Sequence, residues 1–249
     1  IITEFFAPFF AGVFLEKKLK TSSKFFKYVF SKLSTGMVSL PSNGMQEIPK
    51  NMLRKMDMGK ILFGSEVKKI DTDKKIKLKN GQIFEPKKII FTGTSQSLLN
   101  KKELSYNSVK TIYFSTNSKS ENAQYIHIFP QEKYINNIAF LTSISEQYSK
   151  NNDNLLSVSV IKSDISESEL ISHVKERLKN LYGGNFQFLK YFDIKQATVY
   201  QPAKFFNQQS NVALEDNYLF SGDHMVYGSI EGAVISGIRA VDRLLKDFN

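Results

Sequence analysis

Asn217-Tyr-Leu-Phe-Ser-Gly-Asp-His-Met-Val-Tyr-Gly-Ser-Ile-Glu-Gly-Ala-Val-Ile-Ser-Gly-Ile-Arg-Ala-Val-Asp-Arg-Leu-Leu245 decides how the chain is read. Tyr218 to Phe220 form a short apolar run that breaks at Ser221-Gly222-Asp223, and a helix begins near Ser229. Serine at a helix start caps a free backbone N–H, and Glu231 in the first turn suits the positive end of the dipole. Ile230, Val234, Ile238, Val241 and Leu245 recur at spacings of three and four, giving one apolar stripe. A second stripe is small: Ala233, Gly237 and Ala240, with Gly232 and Ser236 beside it. A glycine inside a helix costs roughly 1 kcal/mol relative to alanine, so something must approach that face closely. A strand ending in Gly-Asp before an open helix N-terminus suits an anionic or polar ligand. The same pattern also fits an ordinary terminal helix on a sheet.

Gly222-Asp223, Gly228-Ser-Ile-Glu-Gly-Ala233 and Ser236-Gly237 together carry a resemblance. The stretch resembles the C-terminal flavin-binding segment of the FAD-dependent amine oxidase and phytoene desaturase superfamily. The resemblance implies that Asp223 reaches the hydroxyls of the ribityl–pyrophosphate region, and that the backbone N–H near Ile230 faces the pyrimidine edge of the flavin. Gly222, Gly228, Ser229 and Ala233 join them as implied cofactor-binding positions.

Upstream, runs at 61–63, 67–70, 75–79, 83–84 and 88–91 alternate as strands of an antiparallel meander, with Asn80-Gly81 as a hairpin turn. By itself a meander has no particular function. In the superfamily it belongs to the FAD domain, which implies that the Val67 backbone holds the adenine edge and that the strand ending at Thr92-Gly93 passes the pyrophosphate.

A second block of β-branched and aromatic runs covers 109–115, 125–129, 135–141 and 155–161. Ser166-Glu-Ser-Glu169 is a capping box for a helix to Tyr182 that ends at Gly183-Gly184, and a long strand follows over 186–200. Residues 1–35 read as helical and rich in phenylalanine; most such residues are core, though they could line a pocket for a large apolar ligand. Ala7-Pro-Phe-Phe-Ala-Gly-Val-Phe-Leu15 and Thr21-Ser-Ser23 are similar to a substrate-facing segment of the desaturase-like branch. Leu40-Pro-Ser-Asn-Gly-Met45 resembles that family's Pro-x-Gly-Gly-Met loop, with Asn43, a residue that also tolerates a left-handed backbone, in place of the first glycine. A helix follows, with Gly59 as its C-cap.

The expected fold is therefore mixed α+β and α/β: a partial FAD/NAD(P)-binding, Rossmann-like domain with an antiparallel-sheet substrate domain inserted. The resemblance divides the chain into a helical part of the substrate domain (1–58), an FAD-domain β-meander (59–98), the substrate domain (99–205) and a C-terminal FAD-domain strand and helix (206–249). No Gly-x-Gly-x-x-Gly or Walker-type loop occurs, and the chain starts at Ile1 without an initiator methionine, so it reads as the interior of a longer protein.

Chemistry is bounded as much by absences. There is no cysteine, which excludes disulfides, thiolate metal sites and a cysteinyl flavin link. His127, His173 and His224 show no metal spacing, and no catalytic side chain stands out. His173 reads as solvated, while His224 follows Asp223 in the implied flavin loop. The net charge of +10 comes from lysines spread along the chain, which read as dispersed rather than as a dedicated basic surface. No apolar run reaches the length of about 20 residues that spans a bilayer.

The resemblance implies an FAD-dependent oxidoreductase, cytoplasmic with room for peripheral membrane contact. Its implied partners are a lipophilic small molecule such as an isoprenoid and an electron acceptor, and no nucleic acid. Two alternatives stay open: a polyene isomerase that uses FAD without net redox, and a non-enzymatic basic binding module.

Overall fold

A computed structural model describes residues 1–56, 61–93, 95, 98, 104–118, 120–205 and 218–246. In chain order the helices are α1 (Ala7–Phe14), α2 (Ser23–Thr35), α3 (Glu47–Leu53), α4 (Glu167–Tyr182) and α5 (Ile230–Lys246). The strands are β1 (Val67–Ile70), β2 (Ile76–Leu78), β3 (Ile83–Phe84), β4 (Ile89–Thr92), β5 (Tyr106–Thr116), β6 (His127–Ile128), β7 (Asn137–Phe140), β8 (Asn154–Val160), β9 (Gln187–Val199) and β10 (Tyr218–Ser221). Gly59, expected as a C-cap, lies outside the described residues. The chain divides into two compact units: Ile1–Lys20, Lys32–Leu53 and Tyr106–Thr198 in one, and Thr21–Ser31, Arg54–Ser105 and Val199–Asn249 in the other.

The first unit is built on a five-stranded sheet ordered β6-β7-β8-β5-β9. Alternation along β5, β7 and β8 sends Ile112, Phe114, Ile138, Phe140, Leu156, Val158 and Val160 to one face, where Leu170, Val174 and Leu178 of α4 cover them. All ten are 2% exposed or less, and each such burial contributes about 1.5–3 kcal/mol. The capping box forms: Ser166 Oγ accepts from the Glu169 amide, and the Glu169 carboxylate accepts from the Ser166 amide. Gly183 closes α4 with φ +68°.

The phenylalanines of the N-terminal segment stack at four-residue spacing, Phe5 on Phe9, Phe6 on Phe10 and Phe10 on Phe14. Phe10 and Phe14 are buried, so two of these five rings are core. A Cβ at Gly12 would stand 2.6 Å from Asn136 Nδ2, which explains a glycine on α1.

Several expectations fail here. The run 61–63 forms no strand, and 125–129 shrinks to the two residues of β6. In the loop at 40–45 the left-handed residue is Gly44, at φ +95°, so the tolerance of Asn43 is not drawn upon.

In the second unit, β1, β2 and β3 form an antiparallel sheet, closed at the expected Asn80-Gly81 turn by the Gly81 amide donating to the Leu78 carbonyl over 3.1 Å. β4 does not extend this meander. It pairs parallel with β10, Ile89 opposite Tyr218 through Thr92 opposite Ser221. Pro86, lacking an N–H, sits between β3 and β4, where the ladder stops. Ile89, Phe91 and Phe220 form a small core with Ile70, Ile76, Tyr218 and Met225. Two antiparallel sheets, a parallel strand pair and a helix after β10 make the fold mixed and partly Rossmann-like.

Candidate cofactor site

The site begins where β4 and β10 end side by side. The Gly93 amide donates to the Ser221 carbonyl over 3.3 Å, carrying the pairing one residue past Thr92. Gly93 then turns left-handed at φ +60°, and among the described residues, its chain neighbours aside, no atom lies within 4 Å of where its Cβ would stand. Gly222 has φ +145°, and its amide donates to Ser236 Oγ of α5 over 3.0 Å.

Asp223–Met225 forms a short helical turn directly after this glycine. Burial of Asp223 raises its carboxyl above the ordinary value, opposed by hydrogen bonds from the His224 and Asp223 amides and by the neighbouring imidazole. His224 is 5% exposed, and burial lowers its imidazole while Asp223 pulls it upward. The histidine is packed under the turn: a Cβ on Gly222 would meet its Nδ1 at 2.6 Å.

Past the turn, the Gly228 amide donates to Oε1 of Gln201 over 3.0 Å. Ser229 caps α5 as expected, its hydroxyl accepting from the Gly232 amide over 2.9 Å, while the Ala233 amide donates to the Ser229 carbonyl. Ile230, the first helical residue, is 54% exposed.

Part of the small face of α5 is met by the protein's own chain. Gly232, Ser236 and Ala240 are its buried residues. A Cβ at Gly232 would lie 2.1 Å from the Tyr227 carbonyl oxygen, and Ser236 holds Gly222. Close approach is thus made by the protein's own loop and by the turn after β10. The stripe of Ile230, Val234, Ile238, Val241 and Leu245 is exposed instead.

The structure therefore brings together Thr92, Gly93, Gly222 and Asp223 at the strand ends, and Gly228, Ser229, Ile230 and Ala233 at the start of α5. Val67 stands apart, half-buried on β1 opposite Leu78. Sequence reasoning missed four residues. Tyr28 of α2 donates to the Glu231 carboxylate, and its ring lies 4.3 Å from that of Tyr227. Phe25 stacks on both. Burial first, then the Glu231 hydrogen bond, holds the Tyr28 phenol well above its ordinary value. The fourth is Gln201, whose only sequence signal was a strand break at Gln201-Pro202. No sequence signal paired Tyr28 with Glu231, because 203 residues separate them.

These features suit part of a dinucleotide. Gly93 leaves room for a ligand against backbone, and Asp223 offers a half-buried carboxylate that hydroxyl donors would stabilise in its charged form. Among the described residues no group of His, Asp and Glu could hold a metal ion.

A parallel strand pair running through a glycine–acid turn into a capped helix defines a nucleotide-cofactor fold. The chain belongs to the flavin-containing amine oxidoreductases, whose family model matches residues 1–245 and whose cofactor is FAD. Its fold is similar to that of reduced UDP-galactopyranose mutase, with a TM-score of 0.76 and 16% identity, over 99% of this chain and 65% of that one. Putrescine oxidase bound to putrescine follows with TM-score 0.59 and 12% identity, over 81% of this chain and 53% of that one. An oxidoreductase from Methanosarcina mazei gives 0.54 and 13%, over 72% and 49%. The chain thus spans about half to two thirds of the length of these structures. No curated protein sequence matches it.

Proposed function

We propose that this chain supplies the flavin-ring side of the cofactor site in an FAD-dependent oxidoreductase. The observation that supports it most is the Gly222-Asp223 turn, held by Ser236 and set beside the open end at Gly93. Bound FAD supplies the two-electron acceptor; the protein supplies orientation and electrostatics. Asp223 accepts hydrogen bonds from the ribityl–pyrophosphate region. Gly93, Thr92 and Gly222 let the chain approach the phosphates. The start of α5, with Gly228, Ser229, Ile230 and Ala233, faces the pyrimidine edge with backbone N–H groups and the positive end of its dipole. Val67 receives the adenine edge through its backbone.

The substrate we propose is lipophilic and isoprenoid-like, with electrons passing to a separate acceptor. Support comes from Phe5 of the N-terminal aromatic run, 48% exposed; the buried Phe10 and Phe14 add nothing to it. An alternative keeps FAD but transfers no net electrons, and the likeness in fold to a mutase over nearly the whole chain favours testing it. Anaerobic turnover of a polyene separates the two, since isomerisation needs no acceptor.

The phosphate-cradling glycine motif is not in this sequence, so the chain alone is expected to retain FAD weakly and to be inactive. Joined to a segment carrying that motif, the protein should show the absorbance of oxidised flavin. A folded, colourless protein that takes up no added FAD would refute the assignment.

A further inference from the structure

The outer face of the β1-β2-β3 sheet gathers charge that the linear sequence disperses. Between Ile61 and Gly93 there are eight lysines against four acidic residues. Pairing places Ile70 opposite Ile76 and Ile76 opposite Phe84, and Ile70 and Ile76 pack toward the core of Ile89, Phe91 and Phe220. The adjacent row, Lys69 opposite Lys77 and Lys77 opposite Ile83, therefore points away from that core. Lys75 and Lys79 lie two residues either side of Lys77, flanking β2.

Two of these lysines are matched at the margins, Lys75 with Glu85 and Lys79 with Glu66, both at 2.6 Å. Lys69 and Lys77 face each other across the ladder, and among the described residues neither makes an ion pair. Like charges directly opposite on a sheet destabilise it. The row ends on Ile83, an apolar side chain 56% exposed.

We propose that this face docks on an anionic lipid bilayer, the lysines meeting acidic headgroups and Ile83 entering the headgroup–acyl boundary. Charge complementarity supplies the attraction, and an exposed apolar residue at the end of the lysine row suits a bilayer. The row has no arginine for bidentate phosphate recognition and no aromatic ring on which a base could stack, so nucleic acid fits it less well. The inference goes beyond the flavin assignment and does not depend on it.

Co-sedimentation of the 249-residue chain with phosphatidylcholine vesicles, with and without phosphatidylserine, tests it. Binding is expected only with the acidic lipid, weakening by about fivefold for each lysine neutralised and falling with salt. Lys69→Glu is the informative variant. It turns the opposed pair into a cross-strand ion pair, so it should raise the unfolding temperature while lowering vesicle affinity. The chain has no tryptophan, so Ile83→Trp adds a single reporter whose emission should shift to the blue on acidic vesicles alone. Equal binding to both vesicle types, undiminished binding by Lys69→Glu, an unshifted tryptophan, or tighter binding to single-stranded DNA would each overturn the proposal.

Discussion

Gly93 and Ser221, 128 residues apart in sequence, are joined by a backbone hydrogen bond of 3.3 Å at the point where two parallel strands end together. That bond puts the left-handed turn of Gly93 beside the Gly222-Asp223 turn.

Asp223 should show opposite effects on cofactor and fold. In the complete, flavin-loaded protein, Asp223→Ala removes a charge-assisted acceptor and should lower FAD affinity by about tenfold to a hundredfold. Burial raises the folded-state pKa of Asp223, so the folded form prefers the neutral acid, and this favourable contribution is lost as pH rises from the ordinary carboxyl value through the folded one. Asp223→Asn should therefore raise the neutral-pH unfolding temperature of the ligand-free chain while weakening FAD. Flavin occupancy equal to the parent would show that the carboxylate does not face the cofactor.

His224 works in the other pH window. Its folded pKa is depressed by burial, so the neutral imidazole stabilises the fold at and above pH 6.5, and that contribution is lost as pH falls toward the folded value. Thermal melts from pH 7.5 to 5 (roughly the span in which histidine titrates) should show a loss that His224→Gln flattens.

Two glycines of α5 should respond oppositely to alanine. Gly237→Ala meets only Ser221 Oγ at 3.9 Å and should gain up to about 1 kcal/mol from helix propensity. Gly232→Ala drives a methyl into the Tyr227 carbonyl oxygen at 2.1 Å and should cost about 1–3 kcal/mol through overpacking. Denaturant titration of both variants checks the pair.

His127 has a fixed tautomer when neutral. Its Nε2 faces the Asn122 carbonyl at 2.8 Å, which can only accept, so Nε2 carries the proton and Nδ1 accepts from the Tyr182 hydroxyl at 2.5 Å. Burial pushes the Tyr182 phenol up to about 12, so it remains a donor throughout the neutral range. Nitrogen-15 NMR should report the Nε2–H form, and Tyr182→Phe should cost about 1 kcal/mol. An Nδ1–H spectrum would contradict the geometry.

Much of the fold was legible because its determinants are local. The capping box at Ser166 and Glu169, the Asn80-Gly81 turn, the Ser229 cap and the alternation of β5 and β8 each rest on contacts within a few residues or on period alone. Ile61 to Phe63 misled because three apolar residues have strand propensity but no partner strand there. At the site, the glycine–acid turn was visible and the family followed from it. Tyr28, Tyr227 and Gln201 were not, since nothing local marks which distant side chain a loop will meet.

The sequence by itself determined that a strand would end at Gly222-Asp223, that a serine-capped helix would follow, and that this combination belongs with flavin-containing amine oxidoreductases. The tertiary structure decided which strand lies beside that turn, because β4 and β10 pair across more than a hundred residues that no periodicity connects. It also decided what fills the small face of α5. A glycine stripe records that something comes close; only the folded chain shows that the Tyr227 carbonyl and the Gly222 amide come there.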